Sequence, residues 1–310
     1  MEARAKELLP VEYFHIVFTL PDAFNALALT NKRAVYGVLF QAVAQTLLEV
    51  AANPKNLGAK IGFIAILHTW GQTLCLHPHV HCVVPGGGLS PDGTRWIGCK
   101  RGFFLPVRIL SRVFRGKFID LLKRAHAKRP LIGIADRDVL ERLLNAAIKT
   151  EWVVHAKPPF GGPAQVLKYL SRYTHRIAIS NRRLVAMDDN SVTFRWKDYA
   201  HGNAAKMLTL DAVEFLRRFL MHIVPNRFVR IRHFGLLGNR NRKERLSRCR
   251  RLLCDDAGAI GEAIGESAKI GELSEYMHQR CPVCRSGKMI RGEPLSAREL
   301  TILIVGFDSS

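Results

Sequence analysis

The stretch His77-Pro78-His79-Val80-His81 decides how this chain is interpreted. Successive side chains of an extended strand point to opposite faces, so His79 and His81 share one face while Val80 points toward a core. Same-face neighbours lie about 6.5 to 7 Å apart at Cα, a span that two imidazoles can close around one metal ion. His79 and His81 are therefore the predicted ligands, with His77 in reserve. Isolated buried or solvated histidines are the competing interpretation.

The spacer Gly71-Gln72-Thr73 predicts how the histidine strand pairs. It separates the apolar runs Ile61 to Trp70 and Leu74 to Val84, a pattern typical of an antiparallel hairpin. Pairing of this kind places the histidines on a central strand and brings His68 close to them, so His68 is the predicted third ligand. Open coordination positions would remain for phosphate oxygens, and Mg²⁺ or Mn²⁺ is the predicted working ion, although imidazoles also bind Zn²⁺.

Hydrophobic periodicity predicts the other elements of the fold. The further predicted strands are Tyr13 to Leu20, Trp96 to Leu105, Trp152 to Lys157, a hairpin over Ile177 to Trp196 that turns at Asp188 to Asn190, and Phe228 to His233. The predicted helices are Asn31 to Ala52, Val107 to Lys128, Asp136 to Thr150, Ala164 to Tyr173, Thr209 to His222 and the basic segment Asn239 to Leu253. The expected fold class is α+β: an antiparallel sheet flanked by helices, with a basic helical C-terminal extension.

The charge of the chain predicts a polyanionic partner. There are 47 Lys and Arg residues against 26 Asp and Glu, for a formal net charge of +21. Such a balance favours nucleic acid, although a basic excess can also serve solubility alone. The predicted phosphate contacts are Lys168, Arg172, Arg176, Arg230, Arg232, Arg240, Arg242, Lys243 and Arg245. For the last four of these residues, a solvated helix face is the competing interpretation.

Cysteine use and apolar run lengths predict the compartment. Seven cysteines lack the dense, even spacing of a secreted disulfide scaffold, which favours a reducing cytoplasm. Apolar runs such as Ile61 to Leu67 are far shorter than the roughly 20 residues that cross a bilayer, so no membrane partner is expected. The expected location is the cytoplasm, in association with the nucleoid.

The run Tyr169-Leu170-Ser171-Arg172-Tyr173 holds two candidate nucleophiles. Residues four apart on a helix lie one above the other, so both hydroxyls can reach one pocket. A free tyrosine has a pKa near 10, and it attacks phosphorus usefully only when a metal polarises the phosphate and nearby positive charge stabilises the phenolate. An aromatic pair at this spacing is also common in helix packing, which is the alternative role.

These residues resemble the two-tyrosine transposases of the insertion sequence ninety-one type, which belong to the HUH endonuclease superfamily. The name HUH describes His-hydrophobic-His, here His79-Val80-His81. The resemblance covers roughly residues 5 to 253. It is carried by Leu8 to His15, the histidine block, Tyr169 to Arg176, and Phe228 to Gly235 in this order.

The resemblance implies a compact antiparallel sheet of the ferredoxin or RRM-like kind, flanked by helices. It also implies metal-dependent cleavage and strand transfer of single-stranded DNA through a 5′-phosphotyrosine, as in rolling-circle transposition, with DNA at the element ends and target DNA as partners. Tyr169 and Tyr173 take the role of nucleophiles in this resemblance. Related conjugative relaxases place a metal-binding histidine on the strand before the His-x-His pair, a location comparable to His68. No ATP or other small-molecule cofactor is expected.

One departure from the family leaves other functions open. The family has a cysteine-rich zinc domain before the catalytic region, whereas this sequence begins at Met1, just upstream of the first matching run. A catalytically silent DNA-binding remnant is therefore an alternative, and a rolling-circle replication initiator or relaxase is another.

The end of the chain differs in composition from the rest. Residues 1–253 are predicted to form the catalytic domain, and residues 254–310 a linker and loosely ordered tail. Cys281 and Cys284 form a Cys-x-x-Cys pair within this tail, which could be half of a zinc site completed by Cys249 and Cys254.

Overall fold

The computed structural model describes residues 8–100, 102–160 and 178–265. Its strands are β1 (Tyr13–Thr19), β2 (Gly62–Trp70), β3 (Leu76–Pro85), β4 (Gly87–Leu89), β5 (Trp96–Gly98), β6 (Val154–Phe160), β7 (Leu184–Met187), β8 (Ser191–Asp198), β9 (Ala204–Asp211) and β10 (Ile231–Gly235). Its helices are α1 (Asn25–Thr30), α2 (Lys32–Ala52), α3 (Val107–Lys128), α4 (Arg137–Lys149), α5 (Ala212–Met221) and α6 (Arg242–Gly265). The predicted α+β class, an antiparallel sheet flanked by helices, is confirmed.

Five strands form the main sheet, in the order β10-β2-β3-β1-β6, and every neighbouring pair is antiparallel. β3 carries the histidine stretch and is the middle strand, as predicted. β2 and β3 pair as the predicted hairpin, with Leu67 opposite Val80 and His68 opposite His79. Since side chains alternate along a strand, this register fixes which residues of the two strands share a face.

One face of the main sheet packs against α2 and α3 and forms the largest core cluster. Phe18 on β1 meets Phe114 of α3 edge to face, with ring centroids 5.1 Å apart. Phe118, one helical turn later, packs in the same way against Phe24. α2 is long and apolar enough to cross a membrane by length and composition alone, but about two thirds of its most apolar window is buried inside the protein. Its sequence therefore fits a core helix.

The edge strand β10 depends on a glycine. Gly235 has a φ of +58°, a conformation that favours glycine, and a Cβ at this position would collide with the carbonyl oxygen of Ile61. The predicted strand Phe228 to His233 is displaced toward the C-terminus, because Phe228 lies in a turn whose amide donates to the carbonyl of Pro225. Strand pairing with β2 starts at Ile231 instead.

A second sheet, in the order β7-β8-β9, packs against α5. The predicted turn at Asp188 to Asn190 is confirmed, since the Asp188 carboxylate accepts from the amides of Asn190 and Ser191. The predicted helix start at Thr209 is wrong, because β9 pairs with β8 along its whole length. The helix begins only after Asp211, whose carboxylate accepts from the amides of Val213 and Glu214.

The predicted strand Trp96 to Leu105 is much shorter than expected. Only Trp96–Gly98 is extended, and it pairs with β4 in a separate two-stranded sheet. Gly102 has a φ of +71°, so the chain turns there, and Pro106 caps the start of α3. Phe104 is buried in the main core without strand pairing, which explains the apolar character of the run.

The basic helix α6 is longer than predicted. It begins at Arg242 and continues to Gly265, so residues 254–265 are helical where a linker was expected. Leu246 and Cys249 of this helix are buried in a small cluster with Leu9, Trp96 and Leu237. The chain divides into two compact units, Met1–Asp255 and Asp256–Ser310. The functional boundary predicted at residue 253 stays a prediction.

Candidate metal centre

The candidate site lies on the sheet face opposite the α2 and α3 core. Directly paired residues of an antiparallel sheet share a face. His79 of β3 is paired with His68 of β2, and His81 of β3 is paired with Ile66 of β2. The alternation of the two strands therefore places three imidazoles side by side on one face, in the middle of the sheet.

The three rings are close enough to share a ligand. Ring centroids are separated by 5.4 Å for His68 and His79, 4.3 Å for His68 and His81, and 4.8 Å for His79 and His81. One ring nitrogen of each histidine lies within 4.8 Å of the others, so the triad could hold a metal ion. The predicted ligands His68, His79 and His81 are thus brought together by the fold.

A backbone hydrogen bond orients His79. Its Nδ1 donates to the carbonyl oxygen of His77 at 2.6 Å, since a carbonyl can only accept. In the neutral ring this leaves the lone pair on Nε2, the nitrogen that can bind a metal. The reserve candidate His77 takes a different position: its Nδ1 lies 3.9 Å from a carboxylate oxygen of Asp22, and it is outside the group of three.

Burial keeps the triad uncharged at neutral pH. His68 is 3% exposed, and His79 and His81 are each 9% exposed. Desolvation lowers the pKa of His79 to about 4 and holds the pKa of both His68 and His81 well below the usual value of 6.5. Neutral imidazoles have a lone pair to offer, so the donor set fits a divalent metal ion without prior loss of a proton.

A fourth histidine, His15 on β1, lies beside the triad. Its Nε2 is 2.7 Å from Nδ1 of His81, and the two rings stack with centroids 5.0 Å apart and planes 6° from parallel. Burial, followed by the charges of Lys157 and His155, lowers the pKa of His15 to about 3. Sequence reasoning missed His15 because a lone histidine in an apolar strand carries no spacing signal.

The edge strand β6 adds polar groups to the same face. His155 is paired with Val17 of β1, and Lys157 is paired with His15. Both β6 side chains are exposed. The sequence alone indicates that residues 153, 155 and 157 share one face of the predicted strand Trp152 to Lys157. Only the pairing of this strand with β1 shows that this is the face of the histidines.

Arg230 lies on the β10 side of the site, whereas Arg232 pairs with Ala65 and points to the opposite, helix-packed face of the sheet. The carbonyl of Arg230 accepts from the amide of Leu67, and the charge of Arg230 contributes to the lowered pKa of His68. The Arg232 guanidinium lies over Phe40 and Phe228, at 4.3 and 5.2 Å from the ring centroids. Arg232 is therefore also a packing residue.

Two arginines that sequence reasoning missed share a surface cavity with Arg232. The cavity has a volume of ≈ 380 Å³ and is lined by Arg33, Arg227, Phe228, Val229 and Arg232. Arg33 donates to the carbonyl of Asn226 at 2.7 Å, and Arg227 has a φ of +59°. The lining combines aromatic surface with positive charge, a mixture that suits single-stranded nucleic acid.

The remaining described candidates lie around the start of α6. Arg240 and Lys243 are exposed, and Arg242 is half-buried. Arg245 donates to the carbonyl of Gly235 at 3.1 Å, which ties the helix to the end of β10. These four residues stay candidates for phosphate contact.

Residues 62–245 match the model of a family described as "Y2_Tnp: Putative transposase". This chain belongs to that transposase family. It is 52% identical over 299 residues to "Putative transposase y4qJ" of Sinorhizobium fredii (strain NBRC 101917 / NGR234), a match that covers 94% of the chain and 75% of that protein. The resemblance to two-tyrosine transposases of the insertion sequence ninety-one type is thus confirmed.

A second relative is the "Transposase for insertion sequence element IS801" of Pseudomonas savastanoi pv. phaseolicola. It is 31% identical over 240 residues, which make up 73% of this chain and 54% of that protein. The chain therefore spans about half the length of this relative and three quarters of the first.

Solved structures of the conjugative relaxase TrwC are also similar. A metal-bound complex with oriT DNA gives a TM-score of 0.31 at 13% identity, covering 46% of this chain and 67% of that one. A complex with a 27-mer DNA comprising the recognition hairpin and the cleavage site gives a TM-score of 0.28 at 12% identity, covering 78% of this chain and 72% of that one. The family assignment rests on sequence alone.

The predicted nucleophiles Tyr169 and Tyr173 lie outside the described residues, as do Lys168, Arg172 and Arg176. The candidate zinc ligands Cys281 and Cys284 also lie outside them. Of the two cysteines proposed to complete that site, Cys249 is fully buried among apolar side chains and burial raises the pKa of its thiol, whereas Cys254 is exposed.

Proposed function

We propose that this transposase cleaves and rejoins single-stranded DNA at the ends of an insertion sequence. The observation that carries the proposal is the buried, uncharged triad formed by His68 of β2 with His79 and His81 of the central strand β3, in a protein from a transposase family. The net charge of +21 supports a nucleic-acid substrate. The protein then acts in the cytoplasm, at the nucleoid, with DNA ends and target DNA as its partners.

His68, His79 and His81 would hold a divalent metal ion, either Mg²⁺ or Mn²⁺. Three converging neutral imidazoles fit such an ion, and the hydrogen bond from His79 to the His77 carbonyl favours Nε2 as the donor atom. When bound, the ion supplies Lewis-acid polarisation of the scissile phosphate. No small-molecule cofactor is required, because the covalent bond to the protein conserves the energy of the cleaved phosphodiester.

Tyr169 and Tyr173 are the proposed nucleophiles. The phenol oxygen of one tyrosine attacks phosphorus and forms a 5′-phosphotyrosine, while the bond from phosphorus to the 3′ oxygen breaks and that oxygen leaves as a 3′-hydroxyl after taking up a proton. Lys168, Arg172 and Arg176 are placed in sequence to stabilise the phenolate. The second tyrosine permits a second linked transfer, as rolling-circle transposition requires.

Basic residues on and around the sheet would hold the strand. Lys157 shares the sheet face of the triad and is exposed, so it is proposed as a phosphate contact beside the metal ion. Arg230, Arg232, Arg240, Arg242, Lys243 and Arg245 are proposed contacts farther along the strand. Cys281 and Cys284 are retained as the candidate half of a zinc site.

The test is formation of a protein–DNA covalent adduct. A single-stranded oligonucleotide from the DNA that flanks the gene is labelled at its 3′ end, incubated with the full chain and Mn²⁺, and run on a denaturing gel. A 5′-phosphotyrosine moves the 3′ label to the mobility of the protein. The same oligonucleotide labelled at its 5′ end in a parallel reaction releases a labelled fragment that ends in a 3′-hydroxyl. Chelation of the metal ion abolishes both products.

Two variants assign the roles in this assay. Tyr169→Phe combined with Tyr173→Phe removes the adduct while DNA binding stays nearly intact, and His79→Ala removes metal-dependent cleavage. An adduct formed by the double variant overturns the nucleophile assignment. DNA binding by the wild type with no adduct at any divalent metal ion favours the alternative of a silent DNA-binding remnant.

A relaxase or replication initiator would share this chemistry but act at another DNA site. Cleavage at a sequence that does not flank the gene favours that alternative.

A further inference from the structure

His15 contacts the metal centre without belonging to it. It lies on β1, next to the central strand, with its Cα paired with Val83 and with Lys157 on its two sides. The side chain is 2% exposed and faces the triad. Its Nε2 is 2.7 Å from Nδ1 of His81. His15 is not among the three residues whose ring nitrogens converge.

The contact between the two rings restricts the tautomer of His81. Both rings are buried, and a neutral imidazole, which is the form that binds a metal ion, carries a single hydrogen. The short contact between Nε2 and Nδ1 needs one of these hydrogens to lie between the two nitrogens. If His15 donates, the hydrogen of His81 is on Nε2. If His81 donates from Nδ1, its Nε2 carries the lone pair.

Only the second arrangement agrees with the neighbouring ligand. His79 already uses Nδ1 to donate to the His77 carbonyl, which leaves its Nε2 as the donor atom for a metal ion. Since Nδ1 of His81 is engaged by His15, the remaining nitrogen for the same ion is also Nε2. Both histidines of the central strand would then be oriented through Nδ1 and present Nε2.

We propose that His15 is a positioning residue, which accepts the hydrogen bond from Nδ1 of His81 and so fixes the tautomer and the ring orientation with which His81 meets a divalent metal ion. The inference rests on the proposed metal centre and adds a residue that sequence motifs do not identify. In this role His15 takes the place that a carboxylate or a backbone carbonyl takes beside other metal-binding histidines.

A packing role alone does not account for an imidazole at this position. His15 is 2% exposed, and burial of a polar ring costs free energy unless its nitrogens are used. Phenylalanine at this position would keep an aromatic ring beside His81. What phenylalanine lacks is the acceptor nitrogen.

Two variants separate the nitrogen from the ring. His15→Phe keeps a flat ring but removes the acceptor, whereas His15→Gln can place an amide oxygen near the position of Nε2. Zn²⁺ alone is titrated into the metal-free full chain, without DNA, by calorimetry. We expect His15→Phe to bind Zn²⁺ roughly 10- to 100-fold more weakly than the wild type, and His15→Gln to bind close to it. The melting temperatures of the metal-free variants report separately on packing.

Equal Zn²⁺ affinity in His15→Phe and the wild type overturns the proposal, as does an equal loss in both variants. A wild type that binds no Zn²⁺ overturns the metal centre itself, and the positioning role with it, so failure of the proposed function can be recognised separately.

A spectroscopic measurement tests the tautomer without any change at His15. In ¹⁵N NMR spectra of the metal-free wild type, the His81 signals are assigned by their loss in His81→Gln. A protonated Nδ1 and a bare Nε2 are expected. A bare Nδ1 with a protonated Nε2 overturns the proposal, even if His15→Phe fails to fold.

Discussion

His68 on β2 and His79 on β3 are direct cross-strand partners, and their ring centroids lie 5.4 Å apart on the sheet face away from the main core. The candidate metal centre depends on this register, because a slip of one residue would turn every side chain of one strand to the other face of the sheet. The apolar residues between the histidines, such as Val80, pack under α2 and α3 and hold the register in place.

The donor set predicts which metal ions bind best. Three neutral imidazoles without a carboxylate favour Zn²⁺ over Mn²⁺ and Mn²⁺ over Mg²⁺, since Mg²⁺ prefers oxygen ligands. Calorimetric titration of the metal-free protein should give affinities in that order. Tighter binding of Mg²⁺ than of Mn²⁺ would show that oxygen ligands dominate the site.

Removal of one imidazole should weaken the metal centre. His79→Ala is expected to lower Zn²⁺ affinity by more than the roughly 10- to 100-fold that loss of an outer partner costs. His77→Ala is the matched control, because His77 lies on the same strand but outside the group of three, and its backbone carbonyl, which orients His79, is kept. Equal losses in the two variants would place the ion elsewhere on the strand.

The edge of the sheet gives a stability prediction. Gly235→Ala should lower the free energy of unfolding by about 1 to 3 kcal/mol, because φ is +58° and the new Cβ meets the Ile61 carbonyl. Gly116→Ala in α3 is the matched control: no atom lies near its Cβ position, and alanine should stabilise the helix by about 0.5 to 1 kcal/mol. Chemical denaturation measures both. An unchanged free energy of unfolding in Gly235→Ala would contradict the backbone conformation at the end of β10.

His222 predicts a pH dependence of stability. It is buried, its Nε2 donates to the Leu74 carbonyl, and its Nδ1 meets the hydroxyl of Thr69. Burial, opposed by the bond to Leu74 and reinforced by the charge of Lys32, lowers the pKa of His222. The unfolded chain therefore takes up the proton first, and stability is lost as the pH falls below about 6.5.

The measurement is the free energy of unfolding between pH 7 and pH 5. The wild type should lose up to about 1.4 kcal/mol per pH unit more than His222→Gln, which keeps a donor but does not titrate. Parallel pH profiles of the two proteins would mean that the folded protein does not lower the pKa of His222.

Salt dependence separates phosphate contacts from packing residues. Arg240 is exposed before α6, so Arg240→Ala should reduce the slope of log affinity against log salt for single-stranded DNA by about 0.7. Arg142→Ala, at an exposed position of α4, is the control and should leave the slope unchanged. A reduced slope in the control alone would place the DNA on the helical side of the sheet.

Much of the fold could be predicted from the sequence because local signals and packing agree there. The bounds of α3 match the prediction, since its apolar positions repeat at helical spacing and Pro106 precedes it. α4 begins after Asp136, whose carboxylate accepts from the amide of Val139. The hairpin of β2 and β3 follows from two apolar runs and a short spacer. His68 could be found only because that hairpin was predicted.

The failures occur where tertiary pairing overrides local preference. β9 begins with Ala204, Ala205 and Lys206, residues that do not favour strands, and it forms because β8 pairs with it. The candidate site also contains residues that the sequence pattern predicts and residues that only the strand pairing identifies. The His-x-His spacing is visible in the sequence, whereas His15 and Lys157 join the site through the register of β1 with its two neighbours, which no local pattern encodes.

The most direct test of the account is to locate the covalent DNA on the protein. Trypsin cleaves after Lys168, Arg172 and Arg176, so Tyr169 and Tyr173 fall in separate peptides, 169–172 and 173–176. After reaction with single-stranded DNA and Mn²⁺, nuclease and trypsin digestion should leave a 5′-phosphonucleotide on one of these two peptides in the mass spectrum, and none when the metal is chelated. A nucleotide on any other residue, or DNA bound tightly with no covalent link, would contradict the account.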